Sequence, residues 1–166
     1  MKKTINPNDV LFSNQGYMKI DNIEIAELKN LEIKITPEVK TITLLNSVTK
    51  GKFMTALEGN ITFEFNKVYS RFKPALLECC KYLQYFTFTL EASVKNINND
   101  YETIYIGNCW LEGDINLFAL NAETDFLTEK YQAGFEIESA YYTDIIKDQK
   151  DDEWETLSYK TITTNN

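Results

Sequence analysis

The chain has 166 residues, a formal net charge of −8 and no histidine. This length predicts one domain that buries a core without disulfides or metal, and the acidic charge argues against a groove for nucleic-acid phosphates, which needs clustered lysine and arginine. Without histidine, Ser-His-Asp and Cys-His catalytic arrangements and most catalytic zinc sites are excluded.

The N-terminal segment lacks the features of a secretion signal. Polar residues at positions 6–9 stand where a signal peptide carries its continuous apolar core. Nowhere does the sequence contain a run of about 18 apolar residues. We therefore expect synthesis in a cytoplasm and no insertion into a membrane.

A β-hairpin is predicted near the N-terminus. Residues 16–20 and 23–35 have strand-like composition and flank Asp21 and Asn22, a pair that tolerates positive φ and suits a two-residue turn. The apolar positions of the second strand change phase twice. A bulge or break between residues 26 and 30 would reconcile the two phases.

The region after this hairpin predicts a long loop. Pro37 is expected to end the preceding strand, and a short β-prone run at 41–45 leads into residues 46–58, which have no clean period. A loop of this length either folds over its own domain or serves a function such as contact with another subunit. The candidate contact residues, three of them apolar groups without an evident core, are Lys50, Phe53, Met54 and Leu57.

Residues 60–95 change period twice. Apolar residues alternate with polar ones at 61–66, recur at helical spacing at 72–83, and alternate again at 86–95. The pattern predicts one amphipathic helix, at about residues 70–84, within a mainly antiparallel β chain.

Local signals in the predicted helix disagree about its first residue. Ser70 would serve as an N-cap, whereas Pro74 favours a position in the first turn. The adjacent Cys79 and Cys80 point about 100° apart on a helix, so they do not converge on one metal. Cys80 is expected to face the core, and Cys109 is interpreted as a structural thiol.

The C-terminal half predicts further strands at 101–106, around 109–111, at 116–120 and at 128–138, with Gly107 and Gly113 as punctuation. In the last strand Glu136 and Glu138 would share one polar face. Such a pair has a separation suited to glycosidase chemistry, but it is also typical of a solvated face.

No cofactor or metal site is predicted. The acidic run at 148–153 lacks the spacing of a calcium loop, and no glycine-rich phosphate loop occurs. The expected organisation is a domain at residues 1–146 followed by a polar extension at 147–166.

The order of elements carries a family resemblance. The run G-N-I-T-F-E-F-N-K-V-Y-S-R-F at 59–72, followed by an apolar helix and the F-T-F-T-L strand, resembles the tail tube proteins of contractile phages. It is most similar to the PBSX-like (XkdM-type) family of phages and phage-tail-like bacteriocins. The similarity covers about residues 16–146, with its best match at 67–72 and another in the strands at 101–110 and 128–138.

The resemblance implies a mainly β (α+β) fold, an antiparallel β-sandwich or barrel-like domain with one flanking α-helix, and no enzymatic activity. It also implies that six copies close into a ring and that rings stack into a hollow tail tube, a conduit for DNA or ions. The implied partners are other copies of the chain and the tail sheath, baseplate or initiator, and terminator proteins. The implied location is the tail of a virion or a phage-tail-like particle assembled in the bacterial host.

Acidic strand faces are candidates for the lumen of such a tube, where they would repel DNA and ease its passage. The candidate residues are Glu64, Glu91, Glu136 and Glu138. Two alternatives remain open from the residues alone. One is a soluble β-sandwich that binds carbohydrate through Trp110 or Trp154, and the other is a hydrolase that uses Glu136 and Glu138.

Overall fold

The computed structural model describes residues 7–43, 45, 48 and 50–146. Within these residues, most of the chain forms antiparallel strands and one segment forms an α-helix, so the predicted mainly β class with a single helix is confirmed. The strands are β1 (Gly16–Ile20), β2 (Ile23–Glu24), β3 (Leu28–Thr43), β4 (Lys50–Asn66), β5 (Thr87–Lys95), β6 (Tyr101–Glu112), β7 (Thr128–Phe135) and β8 (Ala140–Asp144), and the helix α1 is Lys73–Lys81. Short 3-10 helices occupy Pro7–Asp9 and Ile137–Ser139.

The strands form one sheet in the order β2-β1-β5-β6-β7-β4-β3, and β8 pairs with β6. One half of β6 pairs with β7 and the other half with β8. The sheet curls over itself, because β4 and β5 are not hydrogen-bonded neighbours and yet the rings of Phe63 and Phe88 lie 6.5 Å apart, edge to face. The core lies between these two facing parts of the sheet.

Strand alternation places the core side chains. Phe63 and Phe65 of β4 stack with Tyr131 of β7 at centroid distances of 5.4 and 5.5 Å. Leu76 anchors α1 against this cluster, and Phe72 lies 5.3 Å from the Tyr131 ring. Each such fully buried side chain contributes about 1.5–3 kcal/mol of burial free energy.

The predicted N-terminal hairpin is present. Asp21 and Asn22 have φ values of 49° and 65° and connect β1 to β2. The expected break also occurs, because β2 ends at Glu24, β3 starts at Leu28, and the register with β4 shifts between Leu28 and Asn30.

The predicted loop at 46–58 is wrong where the structure describes it. β4 begins at Lys50 and pairs with β3 as far as Thr43, while residues 46, 47 and 49 lie outside the described residues. Pro37 does not end its strand, because β3 is the last strand of the sheet and one of its sides has no ladder partner to lose.

The helix is shorter than the predicted 70–84. Phe72 occupies the N-cap position without a side-chain hydrogen bond, Pro74 lies in the first turn, and Leu83 follows the helix with φ 55°. The expectation for Cys80 is wrong. Cys80 lies one turn after Leu76 on the same face of α1, but it borders an open hollow at the end of the helix and is exposed.

The buried thiol of the described chain is instead Cys109. It lies in β6, which passes through Gly107 without a break. Burial raises the pKa of this thiol to about 12.

Two C-terminal predictions are also corrected. Residues 116–120 form no strand, because β6 and β7 already pair with each other and Lys73 holds the Leu117 carbonyl at 3.2 Å. β7 ends at Phe135, and Glu136 and Glu138 belong to the turn into β8 rather than to one strand face. In that turn the Glu136 amide donates a hydrogen bond to the Asn108 carbonyl at 3.1 Å. This bond keeps the chain beside β6, with which β8 then pairs.

Candidate assembly surfaces

The far halves of β3 and β4 project from the curled sheet as a two-stranded arm, defined here as residues 34–43 and 50–58. The pairing of β4 with β7 stops at Gly59, opposite Phe135, so beyond that point β4 pairs with β3 alone. All but one of the arm residues are exposed, the exception being the partly buried Gly51. The body of the curled sheet contains the core, whereas no arm residue that the structure describes belongs to it.

One face of the arm is apolar. By alternation along β3, Ile35, Pro37 and Val39 lie on the same side of the strand as the core residues of the body. Leu57 pairs with Pro37, and Met54 pairs with Val39. Met54 is 62% exposed and Leu57 47%. These side chains form a continuous apolar surface without a partner in the described part of the chain.

Of the four predicted contact residues, all lie on the arm but not all share this face. Lys50 is opposite Thr43 on the apolar side, near the tip. Phe53 is opposite Lys40 on the other side and is 54% exposed. The arm therefore presents apolar side chains in two directions.

A second surface is the outer face of the sheet, opposite the core. The predicted lumen residues Glu64 and Glu91 both lie there, and each is paired with a lysine. Glu64 is 2.9 Å from Lys29, and Glu91 is 2.7 Å from Lys19. The hydrogen bond from Lys19 lowers the pKa of Glu91, with help from the Tyr17 hydroxyl at 3.0 Å, and the same bond raises the pKa of Lys19.

Trp110 lies on this outer face but is held in place. Its indole N–H donates to Glu112 at 2.6 Å. The ring covers Gly134, where an added Cβ would meet the indole nitrogen at 2.7 Å. The other aromatic candidate for carbohydrate binding, Trp154, lies outside the described residues, as does the extension at 147–166.

The structure reveals a partly buried ionic cluster that the sequence did not predict. The Glu129 carboxylate accepts hydrogen bonds from Lys73 and from the Tyr131 hydroxyl at 3.0 Å, and it lies 3.2 Å from Lys67. Since Lys73 also binds the Leu117 carbonyl, the cluster ties β7, α1 and the segment after β6 together.

The ionisation of this cluster follows from its burial. Burial tends to raise the pKa of Glu129, but the hydrogen bonds from Lys73, Tyr131 and Lys67 outweigh it and hold the pKa below its ordinary value. Burial also raises the pKa of Tyr131, and the neighbouring carboxylate adds to the effect. In sequence, Glu129 shares the phase of Tyr131, Ala133 and Phe135, and a carboxylate at such a core-facing position is the signal that could have identified it.

In the described residues, no group of three or more cysteine, aspartate or glutamate side chains is placed to hold a metal ion. None of the helices found there is long and apolar enough to cross a membrane.

The fold is shared with chains from structures of contractile injection systems. The chain aligns with a chain from a structure of the anti-feeding prophage tube-terminating cap, with a TM-score of 0.66, 7% identity and coverage of 86% of this chain and 97% of that one. It also aligns with a chain from the extended sheath-tube complex of the extracellular contractile injection system PVC, with a TM-score of 0.57, 9% identity and coverage of 82% and 93%. At these identities the likeness establishes the fold.

A search of the curated proteins finds no match. The sequence model of the family described as phage tail tube protein matches residues 3–138, which is most of the chain. The chain therefore belongs to the phage tail tube protein family, whose members are structural components of tails.

Proposed function

We propose that this chain is the protomer of a hollow tube made of stacked hexameric rings, in a contractile phage tail or a phage-tail-like particle. The observation that carries the proposal is the arm, a long β-hairpin with an apolar face and no core of its own. Exposed apolar surface of this kind marks a protein contact. A structural protomer needs such a contact, and an isolated enzyme or binding module does not.

The sheet edges support the same proposal. Among the described strands, β3 lies at the end of the sheet and β8 pairs on one side, with β6. Free strand edges promote association, and a closed ring of subunits removes them. A contact between two different surfaces of the same chain forms a closed ring when the rotation from one copy to the next divides a full turn evenly. We propose a ring of six copies.

The outer face of the sheet would line the lumen. Glu64 and Glu91 are the proposed lumen residues on the sheet itself, and the exposed Glu136 and Glu138 would lie at its margin. The lysine partners of Glu64 and Glu91 reduce the negative charge that this face presents. The conduit would then pass DNA or ions because Lys19 and Lys29 are already paired with carboxylates and bind phosphate weakly, rather than through strong repulsion.

The proposed partners follow from the structures that share the fold. They are a PVC sheath-tube complex, an anti-feeding prophage baseplate and a PVC sheath/tube terminator. We therefore propose contacts of this chain with sheath, baseplate and terminator proteins, after synthesis in the cytoplasm of a bacterial host. The domain that does this would be residues 1–146.

Negative-stain electron microscopy of the concentrated protein tests the proposal. We expect hollow tubes or six-fold rings, with light scattering that rises above the monomer mass as concentration increases. A protein that remains monomeric at high concentration, and forms no tubes when a tail-initiating component is added, would contradict the proposed function.

A further inference from the structure

The curled sheet has an open seam between its two ends. The strand order begins with β2 and β1 and finishes with β3, and no ladder joins β1 to β3 in the described chain. A cleft of about 730 Å³ lies at this seam, bordered by Gly16 and Tyr17 of β1 and by residues 28–31 and Ile33 of β3. The sheet therefore stops short of a closed barrel at this point.

Both borders of the cleft carry strand edges without a ladder partner. β2 pairs with Lys19 and Ile20 of β1, so the side of β1 that faces away from β5 is unpaired at Gly16 and Tyr17. β3 pairs with β4 on one side and with no described strand on the other. Backbone N–H and C=O groups along such edges accept an added extended segment.

The walls of the cleft are mainly apolar. Leu31 and Ile33 of β3, Ala92 and Val94 of β5 and Ile104 of β6 all line it. Ala92 is buried, whereas the other four are only partly buried. An extended segment with one apolar face would complete the burial of these side chains, and the volume of the cleft lies within the range of sites that enclose a ligand.

The C-terminal extension begins beside this cleft. Tyr142 of β8 lines the cleft, and the described residues end shortly after it, at Ile146. Residues 147–166 would span roughly 65 Å when extended, so every part of the cleft is within their reach. Elements that follow one another in sequence usually lie side by side in space, which favours this segment as the occupant.

The extension contains a strand-like segment at residues 154–164. Its sequence is W-E-T-L-S-Y-K-T-I-T-T, which lacks glycine and proline and consists mostly of β-branched or aromatic residues. In an extended conformation, Leu157 and Tyr159 would point to one side and Ser158 and Lys160 to the other. One glutamate and one lysine leave the segment without net charge, whereas the acidic residues before it are suited to solvent.

We propose that residues 154–164 fill the cleft of their own chain as an added strand along β3, with Leu157 and Tyr159 directed to its apolar walls. The segment would close the barrel and cover side chains that the described residues leave partly exposed. The arm half of β3 and the outer edge of β8 would remain free for neighbouring copies. Because the contact lies within one chain, it does not depend on the proposed tube.

Hydrogen-deuterium exchange of the full chain tests the docking, at a dilution where light scattering gives the monomer mass. Tyr159→Asp places a charge on the side directed into the cleft, and the matched control Ser158→Asp places the same charge on the opposite side. We expect Tyr159→Asp to speed the exchange of amides in residues 28–33 by about tenfold or more, and Ser158→Asp to leave it unchanged. Amides at residues 34–43 should exchange equally in all three proteins.

Equal exchange at residues 28–33 in the native chain and in Tyr159→Asp would overturn the docking, whichever other segment covers the cleft. Protection that increases with protein concentration would assign the cleft to a second copy and would overturn it as well. The measurement needs no tubes. Its failure would leave the proposed tube standing, and a failure to form tubes would leave the docking standing.

An intramolecular disulfide gives a second measurement. The variant carries Ile33→Cys and Tyr159→Cys, with Cys79→Ser and Cys80→Ser to remove the accessible native thiols. Cys109 is retained, since burial raises its pKa to about 12 and keeps it unreactive. After mild oxidation of the dilute protein, we expect a monomer that migrates faster on non-reducing gels and returns to its original position on reduction.

The control replaces Ile33→Cys with Leu83→Cys, a position that is 96% exposed and lies outside the cleft. An extension that moves freely would reach both positions, whereas a docked segment reaches only the cleft. We therefore expect little or no intramolecular disulfide in the control. Equal yields from the two variants would overturn the docking.

Discussion

The body half and the arm half of β4 differ in what surrounds them, although they are one continuous strand. In the body, Ile61, Phe63 and Phe65 are buried in alternation with polar residues. In the arm, Phe53, Met54 and Leu57 are equally apolar and stay exposed. Backbone pairing alone is therefore enough to extend a strand, whereas burial requires a second surface. In the arm, that surface belongs to another molecule under our proposal.

The largest effect on the free energy of unfolding is expected when a phenylalanine is replaced in the body of β4 and compared with the same replacement in the arm. Phe63→Ala should reduce the free energy of unfolding by about 3–5 kcal/mol, because it leaves a cavity beside Phe65 and Tyr131. Phe53→Ala in the arm should change it by less than about 0.5 kcal/mol. Urea unfolding of both variants measures the difference. Equal losses would mean that the arm packs against its own domain.

The ionic cluster of the body gives the next largest effect. Glu129→Gln should cost about 1.5–3 kcal/mol near neutral pH, because Lys73 and Lys67 lose a charged acceptor. The folded-state pKa of Glu129 is depressed, so its stabilisation is present above its unfolded pKa, ordinarily 4.5, and is lost as the pH falls through the folded value.

Urea unfolding of the native protein and of Glu129→Gln should therefore converge as the pH is lowered below 4.5. Glu123→Gln is a matched control, because Glu123 is exposed and has no ion pair among the described residues. A gap between the native protein and Glu129→Gln that persists unchanged in acid would show that the carboxylate charge is not what stabilises the cluster.

The junction between body and arm is tested by two glycines of the same strand. A Cβ on Gly59 would lie 2.7 Å from the Phe135 carbonyl oxygen, and backbone yields little, so Gly59→Ala should cost about 1–3 kcal/mol. A Cβ on Gly51 would lie 3.3 Å from the edge of the exposed Phe53 ring and 3.9 Å from the Ile42 carbonyl oxygen, so Gly51→Ala should be nearly neutral. Thermal unfolding measures both variants. Similar melting temperatures would show that the backbone at Gly59 is not tightly packed against Phe135.

Replacing Met54 should have the smallest effect on the stability of the monomer and a large effect on its assembly into tubes. Met54→Ser should leave the unfolding free energy of the monomer within about 0.5 kcal/mol of the native value. It should raise the concentration needed for tubes by roughly tenfold or more, since a buried methionine contributes about 1.5–3 kcal/mol. Thr36→Ser, on the opposite face of the arm, is the control. Unchanged assembly of Met54→Ser would remove the arm from the contact.

This contrast explains how far the sequence could lead. Alternation predicted β4 from residue 60 onward because one face of that segment is buried, and the Asp21-Asn22 turn was predictable from local backbone preferences. The arm has no buried face in the described chain, so the apolar residues of its β4 half follow no simple period, and the sequence predicted a loop at 46–58. Pro37 added to that error. A proline is tolerated inside β3 because this strand lies at the edge of the sheet, a position that the sequence does not reveal.

The candidate surfaces were only partly predictable for a related reason. The arm residues were identified as apolar groups without a core, which needed no knowledge of their partner. The ion pairs of Glu64 and Glu91 join residues 35 and 72 positions apart, and the Glu129 cluster spans 56 positions to Lys73. Contacts of that separation depend on the strand order, which a single sequence does not state.

The continuity of β4 has a mechanical consequence. Its 17 residues span roughly 55 Å, so one unbroken main chain connects the aromatic core of a subunit to the tip of its arm. Tension on the tip would act along the strand axis and load many ladder hydrogen bonds in parallel. Such a connection resists shear far better than a flexible loop, which would extend before it transmitted force. In an assembled tube, stiffness between subunits would then arise from the same strand that holds each subunit together.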